Sequence, residues 1–234
     1  GLESIFIPDH VKIIDDFAFS NCSLLKKIEF TENSELEIIG KKVISGSRIE
    51  IFHIPKSVKT LCESALSKNH YGIKCAKIEF SDESQLQNIG DYAFKMCSNE
   101  TIAIPKHVKE INDNTFYGCE ILKDVAFPED SELQLIKDNA FSCTKLHSIN
   151  FPSQLKELGR NWASGIEYLT SISISKNNQH FGYIDDKMIG YKSNPNDDHY
   201  DTIVFSLRDI EIATIPSFIK RINPYAFWHC KNLK

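Results

Sequence analysis

The chain has 234 residues, of which 41% are hydrophobic and 25% charged, and its formal net charge is −5. That composition is ordinary for a folded globular protein. The negative net charge argues against a nucleic-acid-binding protein, which would carry a basic face. No apolar run approaches the roughly 18–20 residues that a transmembrane helix requires, so we expect no membrane span in this sequence.

One phrase, Leu-x-x-Ile-x-Phe with close variants, recurs along the chain and is followed by proline at most of its occurrences. The residues that close the phrase are Ile7, Phe30, Ile54, Phe80, Ile104, Phe127, Phe151, Ile174 and Ile215. Seven of the eight steps between them are 23 to 26 residues long, and the eighth is 41. Leucine-rich repeats have periods of roughly 20–29 residues. The period predicts a solenoid, in which each turn packs only on its neighbours.

Each repeat has three parts in a fixed order. The first is the strand phrase, as in residues 25–30, where apolar and polar residues alternate as in a half-buried strand. A following proline ends the strand, because proline cannot donate to a ladder. The second part is a shorter apolar pair such as Val108 and Ile111, and the third is Ala-Phe-x-x-Cys, as in residues 93–97. The small residue allows a tight turn, and the phenylalanine fills the interior of the coil.

Some repeats vary this plan. Longer acidic turns follow the strand phrase at residues 31–34, 81–84 and 128–131, since acidic and polar residues favour turns. The Ala-Phe pair is replaced by Val43-Ile44, by Ala65-Leu66 and, as a size swap, by Trp162-Ala163. We expect neighbouring coils to support these weaker ones.

The 41-residue step marks an irregular long repeat at residues 175–214. Two apolar runs, at 181–191 and 202–205, flank a segment rich in Asn, Pro and Asp at 193–199. This pattern predicts an inserted β-hairpin. The hairpin either packs on the array or projects to contact a partner, and the sequence leaves both open.

Five of the seven cysteines follow a phenylalanine by two or three residues: Cys22, Cys97, Cys119, Cys143 and Cys230. One cysteine per repeat predicts buried thiols, since a disulfide framework usually pairs an even set at irregular spacing. Redox or metal-binding roles are the alternative. Two Asn-x-Ser/Thr sequences, at Asn21 and Asn99, are candidate glycosylation sites on surface turns if a eukaryote exports the protein.

No arrangement of residues predicts catalysis. The eight histidines are scattered, and none forms the i, i+4 pair with glutamate of a metalloprotease helix, so we expect solvated or structural roles. The acidic segment 194–201 has closely spaced oxygen ligands but lacks the glycine and the terminal glutamate of a calcium loop. The sequence also contains no glycine-rich phosphate loop. We therefore expect no enzyme activity, no cofactor and no metal.

Residues 22–30 and 104–119 resemble the BspA-like class of leucine-rich repeats, and residues 183–205 resemble a long variant in that class. The resemblance covers essentially the whole chain. It implies an α/β repeat fold, a right-handed solenoid with a parallel β-sheet on its concave face and short strands, turns and 3-10 elements on its convex face. It also implies a surface or secreted protein of bacteria or parasitic protists that acts in adhesion without catalysis.

The outward side chains of the strand phrases are the candidate binding site. Because side chains alternate along a strand, the residues that flank the central apolar residue point away from the interior. The candidate partner-binding residues are Phe6, Lys27, Glu29, Ile51, His53, Lys77, Glu79, Thr101, Ala103, Asp124, Ala126, Ser148, Asn150, Ser171 and Ser173. The first half of this set is rich in charge, and the second half is mostly small and polar. An ordinary solvated sheet face is the alternative.

We predict a single leucine-rich repeat domain over residues 1–234, a fragment of a longer array, because both ends fall within a repeat and lack a polar cap. The predicted function is a non-catalytic protein-binding or adhesion module at the cell surface or secreted. It would recognise a host, matrix or cell-surface protein through the concave face. The alternative is an intracellular scaffold or a structural array that supports a neighbouring domain.

Overall fold

The computed structural model describes residues 1–67 and 76–234 and shows a β-solenoid. The strand phrases form the first strand of each turn: β1 (Ser4–Phe6), β3 (Lys27–Glu29), β5 (Ile51–Ile54), β7 (Lys77–Phe80), β9 (Thr101–Ala103), β11 (Asp124–Ala126), β13 (Ser148–Phe151) and β15 (Ser171–Ile174). The apolar pairs end in second strands of two residues each: β2 (Ile13–Ile14), β4 (Ile38–Ile39), β6 (Thr60–Leu61), β8 (Asn88–Ile89), β10 (Glu110–Ile111), β12 (Leu135–Ile136), β14 (Glu157–Leu158) and β19 (Arg221–Ile222).

The described ranges contain no α-helix, so the helical part of the predicted α/β repeat is not found. The residues between the strands form turns and left-handed bends instead. No described segment could therefore cross a membrane as an apolar helix. His70, one of the scattered histidines, lies outside the described residues.

Successive turns pair in parallel on two sides of the solenoid. The first strands form the groups β1-β3, β5-β7 and β9-β11-β13-β15, and the second strands form β2-β4-β6-β8 and β10-β12-β14. The register aligns the central apolar residue of each strand, for example Val125 with Ile102 and Ile149. Equivalent residues therefore stack once per turn into a continuous interior.

The third side of most turns is a tight bend with two left-handed residues. Around Phe116 these are Asn114 (φ 57°) and Gly118 (φ 69°). A positive φ is unfavourable for most residues other than glycine. In this bend the backbone N–H of Phe116 donates to the carbonyl of Ala140 (2.8 Å), and the N–H of Gly118 donates to the carbonyl of Ser142 (2.9 Å). These bonds make a third ladder between turns.

The bend phenylalanines in the middle of the array fill the interior, as predicted, whereas Phe19 and Phe227 are half-buried. Phe94, Phe116 and Phe141 are fully buried, and each neighbouring pair of ring centroids is 5.3 Å apart. The N–H of Phe141 donates to Trp162, which places Trp162 in the column of the small residue and Ala163 in the phenylalanine column. The Trp162 ring then meets Phe141 edge-on at 6.4 Å. The predicted exchange of large for small is confirmed.

The cysteine prediction holds only in part. Cys97 and Cys119 are buried, and Cys22 and Cys230 are partly buried, but Cys143 is exposed, so its predicted burial is wrong. Cys143 follows its phenylalanine by two residues instead of three. It therefore takes the left-handed position (φ 58°), and Thr144 fills the buried one.

The long repeat contains β16 (Phe181–Tyr183), β17 (Met188–Tyr191) and β18 (Thr202–Ser206). The predicted hairpin is confirmed as the antiparallel pair β17-β18, and β18 also pairs in parallel with β19. The first apolar run forms a second hairpin, β16-β17, because the carboxylate of Asp185 accepts the N–H groups of Lys187 and Met188 in a turn. Residues 212–215, expected to end a ninth first strand, form no strand.

Candidate functional site

The strand face consists of the outward side chains of the first strands, which are the fifteen candidate residues. All of them are exposed or half-buried. The register aligns them in two rows across neighbouring strands: Thr101, Asp124, Ser148 and Ser171 in one row, and Ala103 with Ala126 and Asn150 with Ser173 in the other. Lys27 and Glu29 stand beside Ser4 and Phe6, and Ile51 and His53 stand beside Lys77 and Glu79.

The charged half of the strand face pairs its charges internally. Lys27 forms an ion pair with Glu29. The Glu79 carboxylate contacts the Lys77 ammonium at 2.7 Å and His53 Nδ1 at 3.0 Å. The hydrogen bond from Lys77 is the main reason that the pKa of Glu79 lies below its usual value. A partner that covered this half would have to desolvate these ion pairs, which is unfavourable.

The other half, from β9 to β15, is an almost uncharged floor of short side chains. Eight candidate residues line a depression of about 330 Å³: Thr101, Ala103, Asp124, Ala126, Ser148, Asn150, Ser171 and Ser173. Asp124 carries the one charged side chain in this lining, and its carboxylate accepts the Ser148 hydroxyl at 2.5 Å. We call this surface the small-residue floor.

Asn150 differs from the rest of the floor because its side-chain amide forms hydrogen bonds with the backbone of the neighbouring turn. Its Oδ1 accepts the N–H of Phe127, and its Nδ2 donates to the carbonyl of Phe127, both at 2.8 Å. The side chain thus replaces a pair of backbone bonds between β11 and β13. The sequence did not indicate this role, and it leaves Asn150 less available to a partner.

A groove of about 940 Å³ adjoins the floor between β7 and β9 and shares Thr101, Ala103 and Ala126 with it. At this junction β7 does not pair with β9, nor β8 with β10. Two asparagine side chains bridge the gaps: the Asn99 amide bonds both the N–H and the carbonyl of Ile78 at 2.8 Å, and Asn112 donates to the Ile89 carbonyl at 2.6 Å. We call this space the junction groove.

The position of Asn99 in this bridge corrects the prediction that it is a glycosylation site on a surface turn. Asn99 is only 2% exposed, so it does not lie on a surface turn and cannot accept a glycan in the folded state. It stands three residues before Ile102, where most other repeats have Leu or Ile, and this position could have indicated a buried side chain. Asn21 is exposed and stays a candidate.

A family model described as a BspA type leucine rich repeat region matches six copies, over residues 1–84, 67–187 and 186–234. The chain belongs to the BspA-type leucine-rich repeat family. Comparison of this BspA-type chain with curated proteins gives no match.

Solved structures share the fold of this BspA-type chain. The pneumococcal vaccine antigen PcpA has a TM-score of 0.74 at 21% identity, with 100% of this chain and 54% of PcpA covered. A leucine rich cell surface protein from Faecalibacterium prausnitzii has a TM-score of 0.68 at 21% identity, with 100% and 62% covered. A leucine-rich repeat protein from Bacteroides ovatus has a TM-score of 0.52 at 19% identity, with 99% and 60% covered. The chain thus spans little more than half the length of these proteins.

Metal-ligand geometry is not assembled in the described part of this BspA-type solenoid, where no three His, Cys, Asp or Glu side chains converge. In the acidic segment, Asp197 accepts from Asn194 at 3.2 Å, and Asp201 accepts from Ser193 and Thr202. These carboxylates therefore accept hydrogen bonds from side chains of the same turn. His10 contacts Glu35 of the next turn in an exposed pair, and His107 contacts Glu132 of the next turn in an equivalent pair that is half-buried.

Proposed function

We propose that this BspA-type solenoid is a non-catalytic protein-binding or adhesion module that recognises a host, matrix or cell-surface protein. In this proposal the contact is made by the strand face, acting as the concave side of the solenoid. The observation that carries the proposal is the small-residue floor, which continues without interruption over four paired strands.

The chemistry of the floor suits a protein partner. The buried centre of a protein interface is depleted in charged residues, and seven of the eight candidate residues that line the floor are uncharged. Short side chains lose little conformational entropy when they are covered. Four strands about 4.8 Å apart give a surface of roughly 15–20 Å with the flanking side chains, which fits a protein segment better than a small metabolite.

The structural neighbours support display at a cell surface. One is described as a cell surface protein and another as a vaccine antigen. At 21% identity these likenesses concern the fold, so surface display of this chain is part of the proposal.

The test is to place a large side chain on the floor. We expect Ala126→Arg or Ser173→Arg to weaken binding to immobilised collagen, laminin or whole host cells at least tenfold, because an arginine side chain fills the depression. Both residues are exposed, so thermal stability should change little. Surface plasmon resonance measures the affinity.

Ser217→Arg is the matched control, since Ser217 is exposed but lies outside the first strands. It should bind as the unmodified chain does. Equal affinities for the control and both floor variants would contradict the proposal. Binding to none of the matrix proteins or cells would favour an intracellular scaffold.

A further inference from the structure

The junction groove has an apolar base. Phe80, Ile104 and Phe127 line it from three successive turns. Ile104 and Phe127 are buried and Phe80 is half-buried, whereas Ala103 and Ala126, which also line the groove, are exposed. The groove exists because the ladders of the first and second strands are both interrupted here, while the third side stays bonded, as from Phe94 to Thr115 (3.1 Å). The turns therefore stay attached on one side and leave space on the other.

The rim of the groove carries an excess of negative charge. Its two lysines are already paired, Lys77 with Glu79 at 2.7 Å and Lys106 with Asp130 at 3.2 Å. Asp82 and Glu83 belong to the acidic turn after β7, line the same groove and have no ion pair within the described residues. Charge of one sign in a cleft attracts the opposite sign more strongly than it would on a flat surface.

We propose that the junction groove binds an extended peptide segment of the partner that carries one apolar side chain flanked by lysine or arginine. This inference rests on the proposed protein-binding function and assigns it a second subsite. The apolar side chain lies over Ala103 and Ala126, between Phe80 and Phe127. The flanking cations reach Asp82 and Glu83. A volume of about 940 Å³ is within the range of roughly 300–1,000 Å³ of ligand sites, and it accommodates a few residues of extended chain.

Three synthetic peptides test the occupant by fluorescence anisotropy: Ser-Lys-Ser-Phe-Ser-Lys-Ser, the same sequence with both lysines changed to glutamate, and the same sequence with phenylalanine changed to alanine. The first should bind at least tenfold more tightly than either of the others. Its affinity should fall as salt is raised, because exposed charges are screened. Equal binding of the lysine and glutamate peptides overturns the proposal, and so does binding that is unaffected by removal of the phenylalanine.

Variants of the chain locate the peptide. Asp82→Asn combined with Glu83→Gln should weaken binding of the lysine peptide at least fivefold. Ala103→Trp should prevent its binding, because the indole ring fills the groove. Glu32→Gln is the matched control, since Glu32 lies in the equivalent acidic turn at residues 31–34, outside this groove. A peptide affinity that is the same in the groove variants and in the control contradicts the assignment.

The floor variant Ser173→Arg separates the two proposals, because Ser173 does not line the groove. It should leave peptide affinity unchanged while it weakens binding to the whole partner. If the lysine peptide bound no better than the other two peptides, while Ser173→Arg still weakened binding to the whole partner, the groove proposal alone would be overturned. The reverse pattern would overturn the floor proposal alone.

Discussion

Phe116→Ala is expected to lower the free energy of unfolding by about 3–5 kcal/mol, the usual cost of removing a fully buried phenylalanine ring. The Phe116 ring has no exposed surface and lies between Phe94 and Phe141, with both centroids 5.3 Å away. The backbone bonds of the third side hold the neighbouring turns at a fixed spacing. The flanking rings therefore cannot close the cavity, and the full cost is felt.

Urea unfolding followed by circular dichroism measures this loss, and Tyr117→Ala is its control. Tyr117 is the next residue, but it is 37% exposed and points outward. Its replacement should change the free energy of unfolding by less than about 1 kcal/mol. A loss below about 1 kcal/mol for Phe116→Ala would mean that the phenylalanine column does not fill the interior.

Arg208→Ala is expected to lower the free energy of unfolding by about 3–4 kcal/mol, because it removes four hydrogen bonds that one buried, charged side chain donates to backbone carbonyls. Arg208 is 4% exposed, and its guanidinium donates to the carbonyls of Ile166 (3.2 Å), Ser206 (3.3 Å), Ala226 (3.1 Å) and Tyr225 (3.4 Å). Burial is the main reason that its pKa is lowered, yet arginine stays charged near neutral pH.

The position of Arg208 explains why the fold uses a buried cation. The third-side ladder runs from Cys143 to Ser164, and the long repeat then lacks the Ala-Phe bend that would continue it. Arg208 joins the carbonyls on the two sides of that gap. The Phe205 ring supports the cation from 4.1 Å.

Arg208→Lys tests whether the planar donors matter. Lysine keeps the charge but cannot reach four carbonyls from one flat group, so it should recover less than half of the loss. Chemical unfolding of the three proteins measures these differences. A free energy of unfolding for Arg208→Ala within about 1 kcal/mol of the unmodified chain would show that Arg208 does not hold the two sides of the gap together.

Periodicity made the interior of this protein predictable. A residue that recurs every two dozen positions must occupy the same place in each turn of a solenoid. The strand phrases, the apolar pairs and the column of Phe94, Phe116 and Phe141 follow from that rule, as does the outward direction of the small-residue floor.

Features that depend on a single residue were not predictable in the same way. One missing residue between Phe141 and Cys143 moves that cysteine from the interior to the surface. Asn99 matches a glycosylation sequence, but its amide replaces a missing strand bond. Arg208 and the junction groove both lie where the hydrogen-bond ladders between turns are interrupted. A repeat pattern in the sequence does not indicate where such an interruption occurs.

Register-specific cross-linking tests the stacked turns most directly. Ala103 and Ala126 are partners in neighbouring strands, so Ala103→Cys with Ala126→Cys should form a disulfide in a Cys143→Ser background. Ala103→Cys with Ser173→Cys should not, because those positions are three strands, or about 14 Å, apart. Peptide mapping by mass spectrometry after mild oxidation identifies the bridge. Bridging of the first pair alone is the predicted result, and equal bridging of both pairs, or of the second alone, would contradict the solenoid.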